Sequence, residues 1–398
     1  MSPSGAAAAA AIFDRRRLTQ AREHKGLTKH DLAVKVGVSP AVIGQYEAGA
    51  TNPSGDVLGR LALALGFSVD FFARGGDKSV SLTDAHFRSL RSTTRAQRRQ
   101  AITQAIFAAE IAAALEEHIR LPALDLPHYE LPPGAHGLAA IEALADQARV
   151  DLELGTGPIP HMVRLLESRG VVAVRLRAET ERVSAFSCPF RPRPVVVLST
   201  NRDDKARSRM DAAHELAHLL LHHEVDPGSQ SMERQANAFA AAFLMPPDAI
   251  RPYLPVRLHW QRLVEAKQTW GVSLAALLYR SRTLGVISEA AYRRAIVSLG
   301  RHTWEDGTTW RRREPAPLGV PEEPALLHRA AELATTRGFT LEGLAERVRL
   351  PLTLVQETIG LEDEAPMVAV QQGPSSLRTV TPPRSELNEE GPCQPAVR

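Results

Sequence analysis

"DAAHELAHLLLHH", residues 211–223, places two histidines and a glutamate in an H-E-x-x-H arrangement within an otherwise apolar segment. His214 and His218 are four residues apart, so on a helix both imidazoles project from the same face, one turn apart. Two imidazoles in that arrangement can bind one tetrahedral Zn²⁺ ion. The surrounding apolar residues recur at helical spacing, which also suits a core helix with histidines at its solvent edge. The motif by itself leaves both interpretations open.

Glu215 lies between the two histidines in sequence but points about 100° away from His214 around the helix. This orientation makes it a poor third ligand. It can still reach a water molecule that zinc activates, and its carboxylate can accept the proton of that water. We therefore expect Glu215 to be a catalytic base.

A hydrolytic zinc site needs a third protein ligand and leaves the fourth position to water. Downstream, "SMERQANAFAAAFLMP", residues 231–246, predicts a helix that returns after the turn "EVDPGSQ". Glu233, at the start of that helix, is expected to face His214 and His218. His222 and His223 are rival ligands, although a solvated position at the end of the first helix suits them better.

The segment "RMDAAHELAHLLLHH" followed by "ERQANAFAAAFLMP" resembles the ImmA/IrrE family of zinc metallopeptidases, and the resemblance covers roughly residues 138–300. It implies an α+β, zincin-like domain in which His214, His218 and Glu233 bind Zn²⁺ and Glu215 is the catalytic base. It also implies a protein substrate, because family members cut or control transcriptional regulators in phage, mobile-element or stress responses. The alternative is a non-catalytic domain that retains zinc and senses a ligand or partner.

Residues 12–75 have the layout of a helix-turn-helix domain. Thr28 and Asp31 predict a capping box at the start of one helix, Gly37 predicts a turn, and Ser39 predicts the cap of the next helix. The pattern resembles the Xre, or phage-repressor, class of all-α DNA-binding domains. The resemblance implies that residues 39–47 form the recognition helix, which enters the major groove of operator DNA.

Few side chains of the predicted recognition helix suit the reading of bases. Gln45 can form two hydrogen bonds with adenine, and small or apolar residues can touch a thymine methyl group. Arg22 suits a phosphate, but the family pattern pairs this arginine with Glu47. Docking of another protein is the alternative use of the domain. The predicted contacts to bases and phosphates are Lys29, Ser39, Pro40, Ala41, Gln45 and Asn52.

The composition of the whole chain is typical of a soluble globular protein with two or three domains: 398 residues, 44% hydrophobic and 23% charged. Two cysteines argue against a disulfide scaffold and favour a reducing cytoplasm. No apolar run approaches the length of a membrane span. The net charge of +3 neither requires nor excludes a nucleic-acid partner. We expect a cytoplasmic protein that binds no membrane.

Changes in composition along the chain predict a multidomain, mainly α protein with one α+β domain. Three β-branched stretches, "VVAVRLR", "RVSAFS" and "RPVVVLS", predict the strands of that domain. The predicted segments are a flexible N-terminus (1–11), the helix-turn-helix domain (12–75), a helical connector and linker (76–135), the metallopeptidase domain (136–300), a linker (301–324), a small helical segment (325–360) and a disordered tail (361–398).

One internal repeat is visible. Residues 338–358 align without gaps to residues 26–46 at a constant offset of 312. The alignment predicts a second, degenerate copy of the helix-turn-helix hairpin, although two amphipathic helices can also resemble each other by chance. Since the second copy has no obvious base-reading side chains, we expect it to serve in packing or in the formation of a homodimer.

Overall fold

The computed structural model describes residues 9–73, 94–131, 137–176, 185–199, 204–222 and 230–361. All of them lie within one compact unit, which ends at residue 361. Three sequence predictions fall wholly or largely outside the described residues: the flexible N-terminus, the C-terminal tail and the role of His223. Within the described ranges, no helix combines the length and apolarity needed to cross a membrane.

The N-terminal helices begin and end where capping residues predict. Thr28 and Asp31 form the expected capping box, Ser39 accepts a hydrogen bond from the backbone N–H of Val42, and Gly37 has a left-handed backbone with φ 68°. The helices are α1 (Arg15–His24), α2 (Lys29–Val36), α3 (Pro40–Ala48) and α4 (Gly55–Leu65), followed by a short 3₁₀ helix (Val69–Phe72).

Helix α5 (Arg95–Glu116) is central to the first hydrophobic core. We predicted a connector here, and the helix is instead covered on several sides. Its neighbours include α1 and two strands of the sheet that is described next. The helix-turn-helix region and the strands therefore share one core through α5.

The described part of the chain contains a three-stranded sheet that confirms the predicted strands: β1 (Val172–Leu176), β2 (Phe186–Cys188) and β3 (Val195–Ser199). Central β3 pairs with β1 in parallel and with β2 antiparallel. Alternate side chains of β3 enter different cores, because successive residues of a strand point to opposite faces. Val195 and Val197 join the first core, whereas Val196 and Leu198 join the second. The sheet thus separates the two cores.

The second core is built from helices on the other face of the sheet. They are α6 (Leu138–Asp151), α7 (Met162–Ser168), α8 (Lys205–Leu221), α9 (Gln230–Leu244), α10 (Pro247–Ile250), α11 (Trp260–Trp270), α12 (Leu274–Thr283) and α13 (Glu289–Arg301), with a short 3₁₀ helix (Arg251–Tyr253) after α10. Helix α8 packs on β3, on β2 and along α9. Phe239 and Phe243 of α9 stack with ring centroids 5.5 Å apart and are fully buried.

Residues 326–360 form the predicted second copy of the helix-turn-helix hairpin. Its helices are α14 (Leu326–Thr336), α15 (Leu341–Val348) and α16 (Leu352–Ile359). The bounds of α15 equal those of α2 plus 312, and α16 begins 312 residues after α3. Thr340 caps α15 as Thr28 caps α2, and Arg349 has the left-handed backbone of Gly37. This agreement of caps and turns supports the interpretation of the segment as a second copy.

The stretch 301–324, predicted as a linker, is held to the second core by buried carboxylates. Glu322 is 3% exposed, accepts a hydrogen bond from the backbone N–H of Met162 at 2.6 Å and pairs with Arg209. In the other direction, Glu167 of α7 accepts a hydrogen bond from the backbone N–H of Ala325 at 2.7 Å. Since these buried charges are paired and hydrogen-bonded, they fix where the C-terminal repeat begins.

Candidate metal centre and nucleic-acid interface

The structure brings His214, His218 and Glu233 together, as the sequence predicted. The two histidines lie one turn apart on α8, with their Nε2 atoms 3.1 Å from each other. Glu233, in the first turn of α9, places one carboxylate oxygen 3.5 Å from His214 Nε2 and the other 3.6 Å from His218 Nε2. One ligand atom from each of the three residues lies within 4.8 Å of the others.

These spacings fit a transition-metal ion with nitrogen and oxygen ligands. Tetrahedral zinc with bonds of about 2.0–2.1 Å separates its ligand atoms by roughly 3.3 Å. The two Nε2 atoms are 3.1 Å apart, close to that value, and each lies 3.5–3.6 Å from a different oxygen of the Glu233 carboxylate. Two imidazoles and one carboxylate are also a ligand set that zinc accepts in hydrolytic sites.

The electrostatic environment of the cluster favours a cation. Burial works against protonation of His214, but its hydrogen bond to Glu233 and the charges of Glu215, Glu233 and Asp211 outweigh that effect and raise its pKa. The pKa of Asp211 is also raised, in this case because burial disfavours the charged carboxylate. In the absence of a metal, the carboxylates therefore draw protons to the cluster. A metal ion would satisfy the same excess of negative charge.

Glu215 lies beside the cluster without joining it. Its side chain is 2% exposed, and Ser187 of β2 donates a hydrogen bond from Oγ to Glu215 Oε2 at 2.8 Å. Burial raises the pKa of Glu215 to about 7, although the positive charge of His214 and the hydrogen bond from Ser187 oppose this shift. A carboxylate with a pKa near neutrality can both accept and return a proton, which suits a general base.

His222 is buried, and the prediction of a solvated position at the helix end was wrong. It is 2% exposed, with its Nε2 3.0 Å from Oε1 of Gln235 and its Nδ1 3.0 Å from Nδ1 of His218. An amide oxygen only accepts, so Nε2 of His222 donates to it, and in the neutral imidazole Nδ1 is then an acceptor. His218 then donates from Nδ1, which leaves its Nε2 lone pair directed toward His214 and Glu233.

Gln235 is expected to contribute to metal affinity through this relay. Replacing Gln235 by leucine removes the acceptor that sets the tautomer of His222, so His218 is no longer held in its ligand form. We expect zinc affinity, measured by competition with a chromophoric chelator, to fall roughly 10- to 100-fold. Arg234→Leu changes the neighbouring exposed position and should leave the affinity unchanged. Equal affinities for Gln235→Leu and the unsubstituted chain would contradict the relay.

An open cavity of about 610 Å³ is lined by residues of the helices that carry the cluster, although not by the cluster residues themselves. It lies between α6, α8, α9 and α12, and its wall includes Met210, one turn before His214, and Gln235 of the relay. The remaining wall is largely apolar, with Ala238, Ala241 and the partly exposed Tyr279 among its residues. A recess of this kind can receive an apolar side chain.

Sequence reasoning did not identify two supporting residues: Ser187, which contacts Glu215, and Gln235, which contacts His222. Ser187 is a polar residue within a strand whose three residues are all buried. Gln235 is a buried polar residue among the apolar residues of α9. A polar residue in such a run is the available signal, because burial demands a hydrogen-bond partner.

The predicted DNA-contacting residues of α3 lie on its exposed side. Ala41 and Gln45 are exposed, and so are Ser39 and Pro40 at the start of the helix. They are not engaged in side-chain ion pairs, and the side-chain hydrogen bond of Ser39 is the cap of α3. All four are therefore available to a ligand along one edge of the helix.

The other predicted contacts have partners of their own. Arg22 pairs with Glu47 at 2.5 Å in a buried ion pair, which confirms the pairing expected from the family pattern. Lys29 lies 3.2 Å from the same carboxylate but remains about half exposed. Asn52 is exposed and donates a hydrogen bond to the backbone carbonyl of Ala10 at 3.5 Å.

The second copy of the hairpin lacks the same surface chemistry. The offset of 312 places Leu341, Leu352 and Glu357 at the positions of Lys29, Pro40 and Gln45. Two of these replacements are apolar and the third is acidic. Helix α16 also packs on α5 and β1. The second copy is thus suited to packing, in line with the sequence prediction.

Comparisons with known proteins agree with this division of the chain. Residues 18–72 match the family model described as helix-turn-helix, and residues 166–282 match the model described as the IrrE N-terminal-like domain. Multiprotein-bridging factor 1 of Debaryomyces hansenii is 49% identical over 49 residues, which cover 12% of this chain and 33% of that protein. Human endothelial differentiation-related factor 1 is 42% identical over 52 residues, covering 13% and 35%.

The zebrafish (Danio rerio) homolog of that factor is 37% identical over 65 residues, covering 16% of this chain and 42% of the relative. The chain therefore spans less than half the length of these curated relatives. The two family models account for the helices α1–α4 and for the part of the fold that holds the histidine–glutamate cluster. The chain combines a helix-turn-helix domain with an IrrE N-terminal-like domain of the M78 peptidase family.

Proposed function

We propose that the chain is a DNA-binding transcriptional regulator whose peptidase domain is an active zinc-dependent endopeptidase. Its substrate is a regulatory protein, such as a repressor or an antitoxin, that is destroyed in a stress or mobile-element response. The observation that carries the proposal is a buried, hydrogen-bonded Glu215 beside a set of three ligands. A domain that only senses a ligand has no use for a base so placed, and such a sensor is the alternative.

Each residue has a distinct task in this proposal. His214, His218 and Glu233 hold zinc, which when bound polarises the peptide carbonyl and makes a water molecule more acidic. Glu215 accepts the proton of that water on its carboxylate and returns it to the leaving amine nitrogen. The hydrogen bond from Ser187 keeps the carboxylate in one orientation during both transfers. The cavity beside α9 receives an apolar side chain of the substrate.

Removal of the metal tests this proposal. We expect 1,10-phenanthroline to abolish cleavage when the full chain is incubated with purified helix-turn-helix repressors encoded beside its own gene. One equivalent of zinc should restore cleavage, because the protein ligands remain in place. Products are followed by mass spectrometry, and metal content by plasma emission. Cleavage that persists after the metal content has fallen to background would contradict zinc dependence.

The N-terminal copy of the hairpin is the proposed DNA reader. Its exposed edge keeps Ser39, Ala41 and Gln45, whereas the second copy carries an acidic residue at the position of Gln45. One chain therefore supplies one reading helix. A palindromic operator, which presents two half-sites, is bound by a homodimer in this proposal.

Gln45→Ala should weaken binding to the operator at one base pair per half-site. The loss of a two-bond contact to adenine is expected to cost about 1–3 kcal/mol. Lys29→Ala should weaken binding to every sequence alike, because a phosphate contact carries no sequence information. Binding of both variants is measured by fluorescence anisotropy on operator duplexes and on duplexes substituted at single positions. An equal loss on every duplex for Gln45→Ala would remove this residue from the base-reading set.

A further inference from the structure

We propose that the first turns of α5 and the end of α1 form a second DNA-contacting surface, which binds phosphates outside the groove occupied by α3. This flanking basic surface consists of Lys25, Arg95, Arg98 and Arg99. The proposal rests on the proposed DNA binding of the helix-turn-helix domain and extends its footprint along the duplex. Its residues lie outside or at the edge of the predicted recognition elements α2 and α3.

The start of α5 is fixed against the end of α1 and the turn that follows it. Gln100 donates a hydrogen bond from Nε2 to the backbone carbonyl of His24 at 2.9 Å. A Cβ atom on Gly26 would lie 3.7 Å from Oε1 of the same glutamine. Helix α2 begins at Lys29, three residues after Gly26. The basic first turns of α5 therefore lie beside the turn that leads to Lys29, the predicted phosphate contact.

A continuous chain of ion pairs joins α5 to the recognition helix. Arg99 lies 3.5 Å from the carboxylate of Glu23, and Arg22 lies 3.4 Å from it. Arg22 and Lys29 both pair with Glu47, in the last turn of α3, at 2.5 and 3.2 Å. Because each acidic group is shared by two cations, the positions of α5, α1, α2 and α3 are coupled.

The outward face of this network is cationic. The side chains of Glu23 and Glu47 are 16% and 7% exposed, whereas those of Arg99 and Lys29 are 53% and 48% exposed. Lys25 and Arg95 are exposed as well. Neither forms an ion pair with any carboxylate of the described residues. Solvent thus meets the positive groups, and the carboxylates lie beneath them.

Duplex DNA is the partner that fits this surface. It presents phosphates as a regular line of negative charge, one per about 1.7 Å of helix axis counting both strands. A helix-turn-helix domain whose recognition helix lies in the major groove sets its flanks against the two backbones. In this proposal the cations of the flanking basic surface extend the contact with the DNA backbone beyond Lys29 of α2. They require no particular base sequence there.

The test measures how binding of the full chain depends on salt. The probe is a random-sequence duplex of 30 base pairs, titrated between 50 and 200 mM NaCl. Each phosphate contact contributes about 0.9 to the slope of log K against log salt. The double variant Lys25→Ala, Arg95→Ala should therefore lower the magnitude of the slope by roughly 1.8 and bind roughly 60-fold more weakly at 0.1 M salt. Thermal unfolding should be unaltered, because both side chains are exposed and form no ion pair within the described part of the chain.

Arg311→Ala with Arg312→Ala is the matched control, since it removes two exposed positive charges from the segment packed against α11. This control should keep the slope of the unsubstituted chain. A double variant at Lys25 and Arg95 with an unchanged slope, or an equal decrease in the control, would overturn the flanking basic surface. Failure of the unsubstituted chain to bind the duplex at 50 mM NaCl would instead overturn the proposed DNA binding itself.

Discussion

Glu215→Gln is expected to reduce cleavage of the partner regulator by roughly 10²- to 10⁴-fold while leaving zinc and DNA binding unchanged. The amide keeps the size of the side chain and can still accept the hydrogen bond of Ser187. It cannot accept the proton of the attacking water. All three proposed ligands remain, so the metal content should stay near one zinc per chain. Cleavage is measured as the initial rate of product formation, with metal content determined on the same preparation.

Glu346→Gln, an equivalent change at an exposed position of α15, is the control and should leave cleavage unaltered. In cells, the promoter of the target should lose its response when Glu215 is replaced, because the repressor survives. An undiminished promoter response in a variant shown to hold zinc would favour the alternative, a regulator that senses without cutting.

Glu233→Ala is expected to lower zinc affinity by more than the roughly 10- to 100-fold loss expected for a group that only supports a ligand. Glu233 is the sole carboxylate of the described metal-binding group, and its removal leaves two imidazoles to hold the ion. Isothermal titration with zinc measures the change. Glu265→Ala removes the same charge from an exposed position of α11 and should retain full affinity. Retention of zinc by Glu233→Ala, together with its loss in His222→Ala, would show that the ligand set is wrong.

Much of the metal cluster was predictable because its geometry is local. The spacing of His214 and His218 fixes their shared face on any helix, and the length of the turn that follows lets α9 return beside α8. Ser187 could not be predicted in its role, because its contact depends on the packing of β2 against α8. The same holds for His222, whose buried position includes a hydrogen bond with Gln235 of the facing helix.

The N-terminal domain shows the same limit. Caps at Thr28 and Ser39 follow from local hydrogen bonding, and the helix bounds follow from the caps. The position of α5 in the fold does not follow from local hydrogen bonding. Its sequence, basic at first and then apolar, predicted a helix correctly, but which elements cover a helix is decided by tertiary packing. The resulting core contains α1, α5, the sheet and the C-terminal repeat.

In the second copy of the hairpin, apolar residues stand where the first copy has a buried ion pair. In the first copy Arg22 and Glu47 form a buried ion pair. The offset of 312 places Ala334 and Ile359 at these positions, and both are buried apolar residues. A buried ion pair can be exchanged for apolar residues without loss of stability when both partners change together. The second copy therefore keeps its fold, while its surface has lost the side chains suited to DNA.

The most direct test of the proposed peptidase is zinc-edge X-ray absorption of the purified full chain, since an open coordination position separates hydrolytic from structural zinc sites. The proposal predicts two imidazole nitrogens at about 2.0–2.1 Å, one carboxylate ligand and a remaining position filled by exchangeable solvent. A small inhibitor with a hydroxamate group should displace that solvent and change the spectrum. A spectrum showing four protein ligands that hydroxamate leaves unchanged would contradict a catalytic centre at His214, His218 and Glu233.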